Sequence, residues 1–348
     1  MADVENATPF GVRAIPSCDR NGNDLLLIVI AAHFQLPDPA YTERRLRLFR
    51  TQEQPQLADE YVGEPGISSI RREGQSSYTK PATDISVAGD ACAPNGKPAT
   101  EMNVSVRVGP CGVDLRVQGD RVWERSVTLG VRPSSPKPFL RMPVVWERAY
   151  GGVANSSNKE RPMFEPRNPV GCGFETDPDA AIGKPLPNIE NPHQLLGRVL
   201  DRPQPVGIGP IARHWLPRAL YAGTYDETWR RERAPLWPVD FDERFFCGAV
   251  SQLQASPHLA GGEEVFLRGF HPDGVIRFVL PTLRMVARSH FVDRVVRTEP
   301  ILDGVHIGAD VGCLTMYYRA AVPAPLSFIK HRETLLRLVE PWEESHGQ

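Results

Sequence analysis

Proline is the feature of this chain that most limits its fold. The sequence has 34 prolines among 348 residues, roughly twice the average share of about 5%. They are spread over the whole length and are not gathered in one segment. Because proline fixes φ and lacks a backbone donor, this distribution is typical of short strands joined by ordered loops. It argues against a disordered proline-rich tail.

Alternating apolar and polar residues predict β-strands at both ends of the chain. A β-branched apolar run at residues 25–30 follows a turn signal and indicates a buried strand. Three further segments show strand patterns on both sides of a glycine-containing turn, which is the signature of a β-hairpin. These hairpins are predicted at residues 104–117, 265–280 and 305–318.

The expected architecture is mainly β, an antiparallel β-sandwich or barrel-like scaffold with long ordered Pro/Gly-rich loops and a few short helices. A short helix is predicted at 224–233, around Trp229, and a longer one at 329–339, where four apolar residues follow Pro325. No low-complexity linker divides the chain. The interpretation is therefore a single mainly β domain at 1–322 followed by a helical tail at 323–348.

Composition and charge narrow the classes of partner. The formal net charge is −2, which favours neither nucleic acid nor an anionic membrane as a partner. The longest apolar run, at residues 25–32, is far shorter than the ~20 residues of a membrane helix. The first ten residues lack a basic region, so no signal peptide is expected. Six widely spaced cysteines without a CxxC motif indicate isolated thiols in a reducing compartment. The expected location is cytoplasmic.

Motifs for cofactor, metal and nucleophile chemistry are missing from the sequence. It has no GxxxxGK[ST] and no GxGxxG after a strand, no HExxH, and no GxSxG elbow. Its nine histidines do not cluster. We therefore predict no cofactor, no metal and no catalytic residue.

A pair of carboxylates is the one route to catalysis that the sequence leaves open. A β-rich chain could be a hydrolase or carbohydrate-active enzyme with two dispersed acids, and Asp84, Glu124 and Glu147 are the candidates. Alternatively each carboxylate pairs with a nearby arginine, Glu147 with Arg141 or Arg148 for example, or caps a loop. The second interpretation is preferred, because nothing isolates one carboxylate in an apolar pocket.

Four short motifs specify backbone shape and carry few groups suited to catalysis. They occupy residues 80–84, 142–152, 168–174 and 186–192 and are rich in Pro, Gly and Asn, which favour fixed or positive φ. Their expected role is to hold ordered loops, with a salt bridge as the default at 80–84. The residues assigned to this role are Lys80, Asp84, Gly151, Gly152, Asn168, Gly171, Gly173 and Asn188.

Taken in order, the motifs resemble the bacterial DUF2169 family from about residue 10 to 322. Each motif is short, but the series is specific. It consists of KPATD at 80–84, GDRVW at 119–123, the 142–152 segment, NPVG at 168–171 with GF at 173–174, LPNI at 186–189, YAGTYD at 221–226 with Trp229, PVDFD at 238–242 and GGE at 261–263.

The resemblance implies a cytoplasmic, non-catalytic protein associated with type VI secretion. Members of the family are regarded as adaptors or chaperones that help load a toxic effector onto the VgrG/PAAR spike. The implied partners are thus a secreted effector protein and a VgrG- or PAAR-type spike protein. A third possibility, a structural component of the spike, predicts that the protein leaves the cell with its cargo.

The resemblance supplies no established binding residues. Trp, Tyr and Arg dominate interface energetics, so the loop residues Trp146, Arg148, Tyr150 and Phe174 are the candidates for partner binding. The alternative is that these side chains pin the loops onto the core, as buried aromatic residues commonly do.

Overall fold

Short β-strands form most of the regular structure. The computed structural model describes residues 4–39, 45–127, 130–154, 162–324 and 330–339. In chain order, the strands of these ranges are Val4–Asn6 (β1), Gly11–Cys18 (β2), Asp24–Gln35 (β3), Arg47–Leu48 (β4), Glu60–Tyr61 (β5), Ile70–Arg72 (β6), Thr83–Ala88 (β7), Asp90–Cys92 (β8), Glu101–Val108 (β9), Cys111–Gln118 (β10), Trp123–Ser126 (β11), Gly130–Pro133 (β12), Arg141–Pro143 (β13), Tyr150–Gly151 (β14), Cys172–Gly173 (β15), Ile189–Glu190 (β16), Gln254–Ala255 (β17), Glu264–His271 (β18), Gly274–Val279 (β19), Met285–Phe291 (β20), Val295–Thr298 (β21), Ile301–Gly308 (β22), Cys313–Pro323 (β23) and His331–Leu338 (β24).

The helices of the described ranges are short. Two are α-helical, Pro178–Ala181 (α1) and Glu227–Glu232 (α2), and each begins after an aspartate whose side chain accepts a backbone N–H of the first turn. The helix predicted around Trp229 is confirmed by α2. Single 3₁₀ turns lie at Pro94–Gly96, Trp146–Arg148, Arg218–Ala222, Glu243–Phe246 and Ser251–Leu253.

The largest sheet has seven strands in the order β17-β7-β22-β23-β3-β2, with β4 added to β3. The strand predicted at 25–30 is the centre of β3, and the hairpin predicted at 305–318 is β22 and β23. One pair in this sheet, β22 with β7, is parallel. It brings the 80–84 motif, which is distant in sequence, beside the last long hairpin.

A five-stranded antiparallel sheet holds the other two predicted hairpins. Its order is β16-β10-β9-β18-β19, with β9 and β10 joined at 109–110 and β18 and β19 at 272–273. Gly109 has φ 52° in the first turn, a conformation that glycine adopts without steric cost.

The predicted C-terminal helix is wrong. Residues 331–338 form β24, which lies in a four-stranded sheet of order β1-β24-β20-β21. Thr334 and Leu336 are fully buried, and Thr334 shares a hydrogen bond of 2.8 Å with Ser289 on β20. Pairing with β1 and β20 determined the strand conformation of this segment, because its run of leucines fits both the helical and the strand period. The rest of the predicted tail, at 325–329 and 340–348, lies outside the described residues.

One hydrophobic core joins the three larger sheets. It includes Ile28 and Ile85 of the seven-stranded sheet, Val104 and Leu115 of the five-stranded sheet, and Leu336 of the four-stranded sheet. A second cluster, around Trp123, Tyr150 and Phe174, lies beneath the loops between residues 123 and 199. The mainly β architecture is thus confirmed. The strand order of each sheet is open, and the larger sheets contain two parallel pairs, β1 with β24 and β22 with β7.

Candidate functional site

The loops at 146–152 and 168–174 are bound to each other through one buried amide. Asn168 is fully buried and donates from Nδ2 to the carbonyl oxygens of Trp146, at 2.8 Å, and Tyr150, at 3.0 Å. Strand β14 pairs in parallel with β15 beside it. A Cβ on Gly151 would lie 2.1 Å from the Asn168 carbonyl oxygen, and one on Gly152 would lie 2.3 Å from that of Gly171. These glycines are required by close backbone approach.

The third loop, at 186–190, is joined to the first through Asn188. Its Nδ2 donates to the Gln118 carbonyl oxygen at 3.0 Å and to Asp120 Oδ1 at 3.1 Å. Its Oδ1 accepts from Arg148 Nη1 at 2.9 Å. Arg148 also lies 3.5 Å from Asp120, and 38% of its side chain is exposed. Asn188 therefore fixes the orientation of a guanidinium group that reaches solvent.

Three of the four predicted partner-binding residues are buried. The exposed fractions are 3% for Trp146, 2% for Tyr150 and 8% for Phe174. Trp146 Nε1 donates to the Gly209 carbonyl oxygen at 3.1 Å, and Tyr150 OH donates to that of Asp201 at 3.2 Å. The geometry thus favours the loop-pinning role for these three aromatic residues. Of the four, only Arg148 presents a substantial surface to solvent.

A buried ion pair anchors the fourth motif. Lys80 Nζ lies 3.0 Å from Asp84 Oδ2, and the same carboxylate accepts the backbone N–H groups of Gly248, at 2.9 Å, and Ala249, at 2.7 Å. Burial would raise the pKa of Asp84, but the Lys80 charge and the backbone donors outweigh it, so the pKa is lowered. The pair ties the start of β7 to the segment at 248–249.

Further buried charges surround this pair, and sequence reasoning missed them. Glu73 is buried and accepts hydrogen bonds from the buried Arg218 and from the partly exposed Arg213. Arg319 is bound to Asp303 and to the side-chain and backbone oxygens of Gln75. The partners are up to 244 residues apart in sequence. No local spacing could have revealed them, because only the sheet topology brings them together.

A row of polar side chains crosses four neighbouring strands of the seven-stranded sheet. Ser86, His306, Thr315 and His33 occupy directly opposed positions. Ser86 Oγ lies 2.9 Å from His306 Nδ1, and His33 Nδ1 lies 2.9 Å from Thr315 Oγ1. Burial, with the nearby arginines 71 and 72, lowers the pKa of His306 to about 3. So weak a base is poorly suited to activate Ser86 near neutral pH.

The three candidate carboxylates lie in separate structural contacts. Asp84 is bound to Lys80 and to loop amides, as described above. Glu147 accepts from Ser69 N at 2.7 Å and Ser69 Oγ at 2.8 Å. Glu124 pairs with Arg132 at 3.1 Å, with both side chains about half exposed. The arginines expected beside Glu147 contact other acids, since Arg141 lies near Asp90 and Arg148 near Asp120.

A cleft of about 150 Å³ opens beside Trp146. Its walls come from segments that are distant in sequence: Val113, Val206, Ile211, Leu216 and Val250 contribute apolar surface. A Cβ on Gly207 would lie 2.8 Å from the Trp146 ring, so the ring packs against this backbone. Sequence reasoning missed the cleft, because most of its lining lies outside the motifs.

A second cleft, of about 390 Å³, is more polar. It is lined by Asp90, Arg141, His271 and Asp310, among others. Its charged side chains contact other protein groups, since Arg71 donates to Asp310 at 2.7 Å and Arg141 lies 3.8 Å from Asp90. The cleft beside Trp146 has the more apolar lining of the two, which makes it the better candidate for binding an apolar group of a partner.

Three further findings concern the described residues alone. They hold no group of three or more His, Cys, Asp or Glu side chains arranged to bind a metal ion. None of their helices is long and apolar enough to cross a membrane. The six cysteines are all free thiols.

Comparison with known proteins places the chain in a family without assigning an activity to it. No curated protein and no solved structure matches the chain. A family model does match, over residues 21–319, and its description reads "uncharacterized protein conserved in bacteria". This match covers most of the chain and agrees with the ordered motifs of the sequence. The protein therefore belongs to the DUF2169 family.

Proposed function

We propose that this protein is a cytoplasmic adaptor or chaperone of type VI secretion, which binds a toxic effector and helps load it onto the VgrG/PAAR spike. The observation that carries the proposal is the structural role of the polar motif side chains. Asn168, Asn188, Lys80 and Asp84 hold backbone segments together. This role suits a rigid scaffold for recognition, which needs preorganised loops.

The proposal includes no catalytic role and no cofactor. Support comes from the three candidate carboxylates, each of which is held in a different structural contact. The hydrolase alternative needs two acids facing one substrate. A substrate screen with wild type and Glu147→Gln tests it directly, because turnover abolished by this substitution would favour the enzyme.

The proposed mechanism is transient shielding and docking. The scaffold holds the effector, or its spike-linked segment, in a state ready for transport. The half-exposed Arg148, held by Asn188 and Asp120, offers a charged contact at the surface of the loops. Arginine is enriched among residues that dominate interface energetics.

Affinity capture from the native host tests the proposal. The tagged protein is purified under conditions that express the secretion system, and co-purifying proteins are identified by mass spectrometry. We expect a PAAR- or VgrG-type protein together with a toxin-like protein, and loss of toxin secretion when the gene is deleted. A well-folded preparation that captures neither protein contradicts the proposal. Recovery of the protein itself outside the cell would instead favour a spike component.

A further inference from the structure

The cleft beside Trp146 is electrostatically neutral although two arginines line it. Arg167 forms a bidentate ion pair with Glu165, with Nε 2.7 Å from Oε1 and Nη2 2.7 Å from Oε2. Arg218 is 2% exposed and donates to Glu73 and to the carbonyl oxygens of Ile211 and Phe245. Both guanidinium groups are thus committed to carboxylates of the protein itself. A neutral lining favours an uncharged ligand group, since a buried unpaired charge is costly.

The size and walls of the cleft define that group further. Its volume of about 150 Å³ matches a cavity that accommodates benzene. Val206 and Val250 are half-buried on its walls, and Ile211 is buried. A single leucine or phenylalanine side chain fits this space and gains from the removal of its apolar surface from water.

Side-chain amides at the cleft match the hydrogen-bonding pattern of a peptide backbone. Gln204 and Gln252 are exposed and line the cleft. Gln252 Oε1 accepts from Ser251 at 3.3 Å, and its amino group has no partner among the described residues. Gln254 Nε2 donates to the Ala249 carbonyl oxygen at 2.6 Å, which leaves its Oε1 as an acceptor. An amide offers both a donor and an acceptor.

The position of Gln254 indicates the conformation of the ligand. It opens β17, a strand of two residues at the edge of the seven-stranded sheet that pairs only with β7 among the described strands. The other residue, Ala255, is buried, so Gln254 is the residue of this edge that an added extended segment can meet. The cleft and this edge together suit an extended chain with one apolar side chain turned inward.

We propose that the cleft binds an extended peptide segment of the partner protein, anchored by one leucine- or phenylalanine-sized side chain. The amides of Gln204, Gln252 and Gln254 bond to the main chain on either side of the anchor. This inference rests on the proposed function, because it names the kind of effector segment that the adaptor takes.

Peptide selection tests the inference with defined probes. A random peptide display library is selected against the full chain, and binders are resynthesised with a fluorescent label for anisotropy. We expect the binders to share a leucine or phenylalanine position, at which alanine weakens Kd about 10- to 100-fold. A shared acidic or basic motif, a missing apolar anchor or a failure to obtain cleft-dependent binders overturns the inference.

Variants of the protein locate the binding site. Val206→Trp fills the cleft and is expected to weaken the selected peptides at least about 10-fold. The matched control is Val239→Trp, at a valine that is 77% exposed and outside the cleft. Gln252→Ala removes an exposed amide and keeps the test valid if Val206→Trp does not fold, with an expected loss of about 3- to 10-fold. Equal binding by wild type and these cleft variants refutes the site.

Capture of the natural partner separates the inference from the proposed function. If wild type and a folded Val206→Trp both retain the effector, the anchor site is wrong and the adaptor function stands. If the wild-type protein binds cleft-dependent peptides but captures no effector or spike protein, the site stands and the adaptor function fails.

Discussion

His306 offers a quantitative test of the buried polar row. Burial and the nearby arginines 71 and 72 lower its pKa from 6.5 to about 3, so the folded protein keeps this imidazole neutral while the unfolded chain protonates it. The unfolded state therefore binds more protons in this range, and the free energy of unfolding falls as pH decreases below about 6.5. The full effect, reached near pH 3, is about 5 kcal/mol at 1.36 kcal/mol per unit.

The range from pH 7 to pH 5 is the best one in which to measure the effect of His306 on the free energy of unfolding. Over this range the linkage relation assigns His306 a loss of about 2 kcal/mol, whereas carboxylates such as Asp84, whose pKa is lowered, titrate at lower pH. The pKa of His33 is also lowered by burial, which adds a loss of the same sign. Asp310 raises the pKa of His306, but less than burial and the arginines lower it.

Urea unfolding at pH 7, 6 and 5 measures this effect. His306→Asn removes the titrating group and keeps a polar partner for Ser86. We expect the variant to lose about 2 kcal/mol less than wild type between pH 7 and pH 5. The exposed His193, changed to Asn, is the control and should behave as wild type. Equal pH dependence of wild type and His306→Asn would refute the claim that this imidazole is buried and neutral.

Three further predictions concern the loops and the buried pair. Lys80→Met leaves the Asp84 carboxylate buried without its cation and should lower the free energy of unfolding by about 3–5 kcal/mol, as measured by urea unfolding. A double variant with Asp84→Asn should recover part of this loss, and no recovery would argue against a direct pair. Asn168→Ala removes two buried donors and should cost about 2–4 kcal/mol, measured in the same way, and a change below about 0.5 kcal/mol would contradict its role in joining the loops. Arg148→Ala should weaken effector capture while changing the melting temperature little. The control is Arg125→Ala, at a side chain that is 65% exposed. A large drop in the melting temperature of Arg148→Ala would show that Arg148 serves the fold instead.

The hairpins could be predicted because their signals are local. Residues 104–117 alternate apolar and polar side chains around a glycine-containing turn, and this pattern alone specifies which face of β9 and β10 is buried. Lys80 and Asp84 are four residues apart, so a salt bridge between them could also be predicted from local spacing. The helix prediction for residues 331–338 failed because a short leucine-rich run fits both the helical and the strand period.

The candidate site could be predicted only in part. The motifs directed attention to the loops at 146–152, 168–174 and 186–190, and composition directed it to Trp146, Tyr150 and Phe174. Composition could not reveal that all three rings point into the protein. The cleft beside Trp146 combines segments from residue 113 to residue 254, whose proximity depends on sheet order and loop packing.

Local sequence patterns were sufficient for the three hairpins, for the turns between their strands and for the family of the protein, since each of these depends on neighbouring residues. Packing of the sheets was needed to select which charged residues became buried partners, as with Glu73 and Arg218, and to form the neutral cleft. Strand pairing and burial are non-local. A side chain's exposure and partners are set by segments far away in the chain, and these assemble only when the sheets pack on their common core.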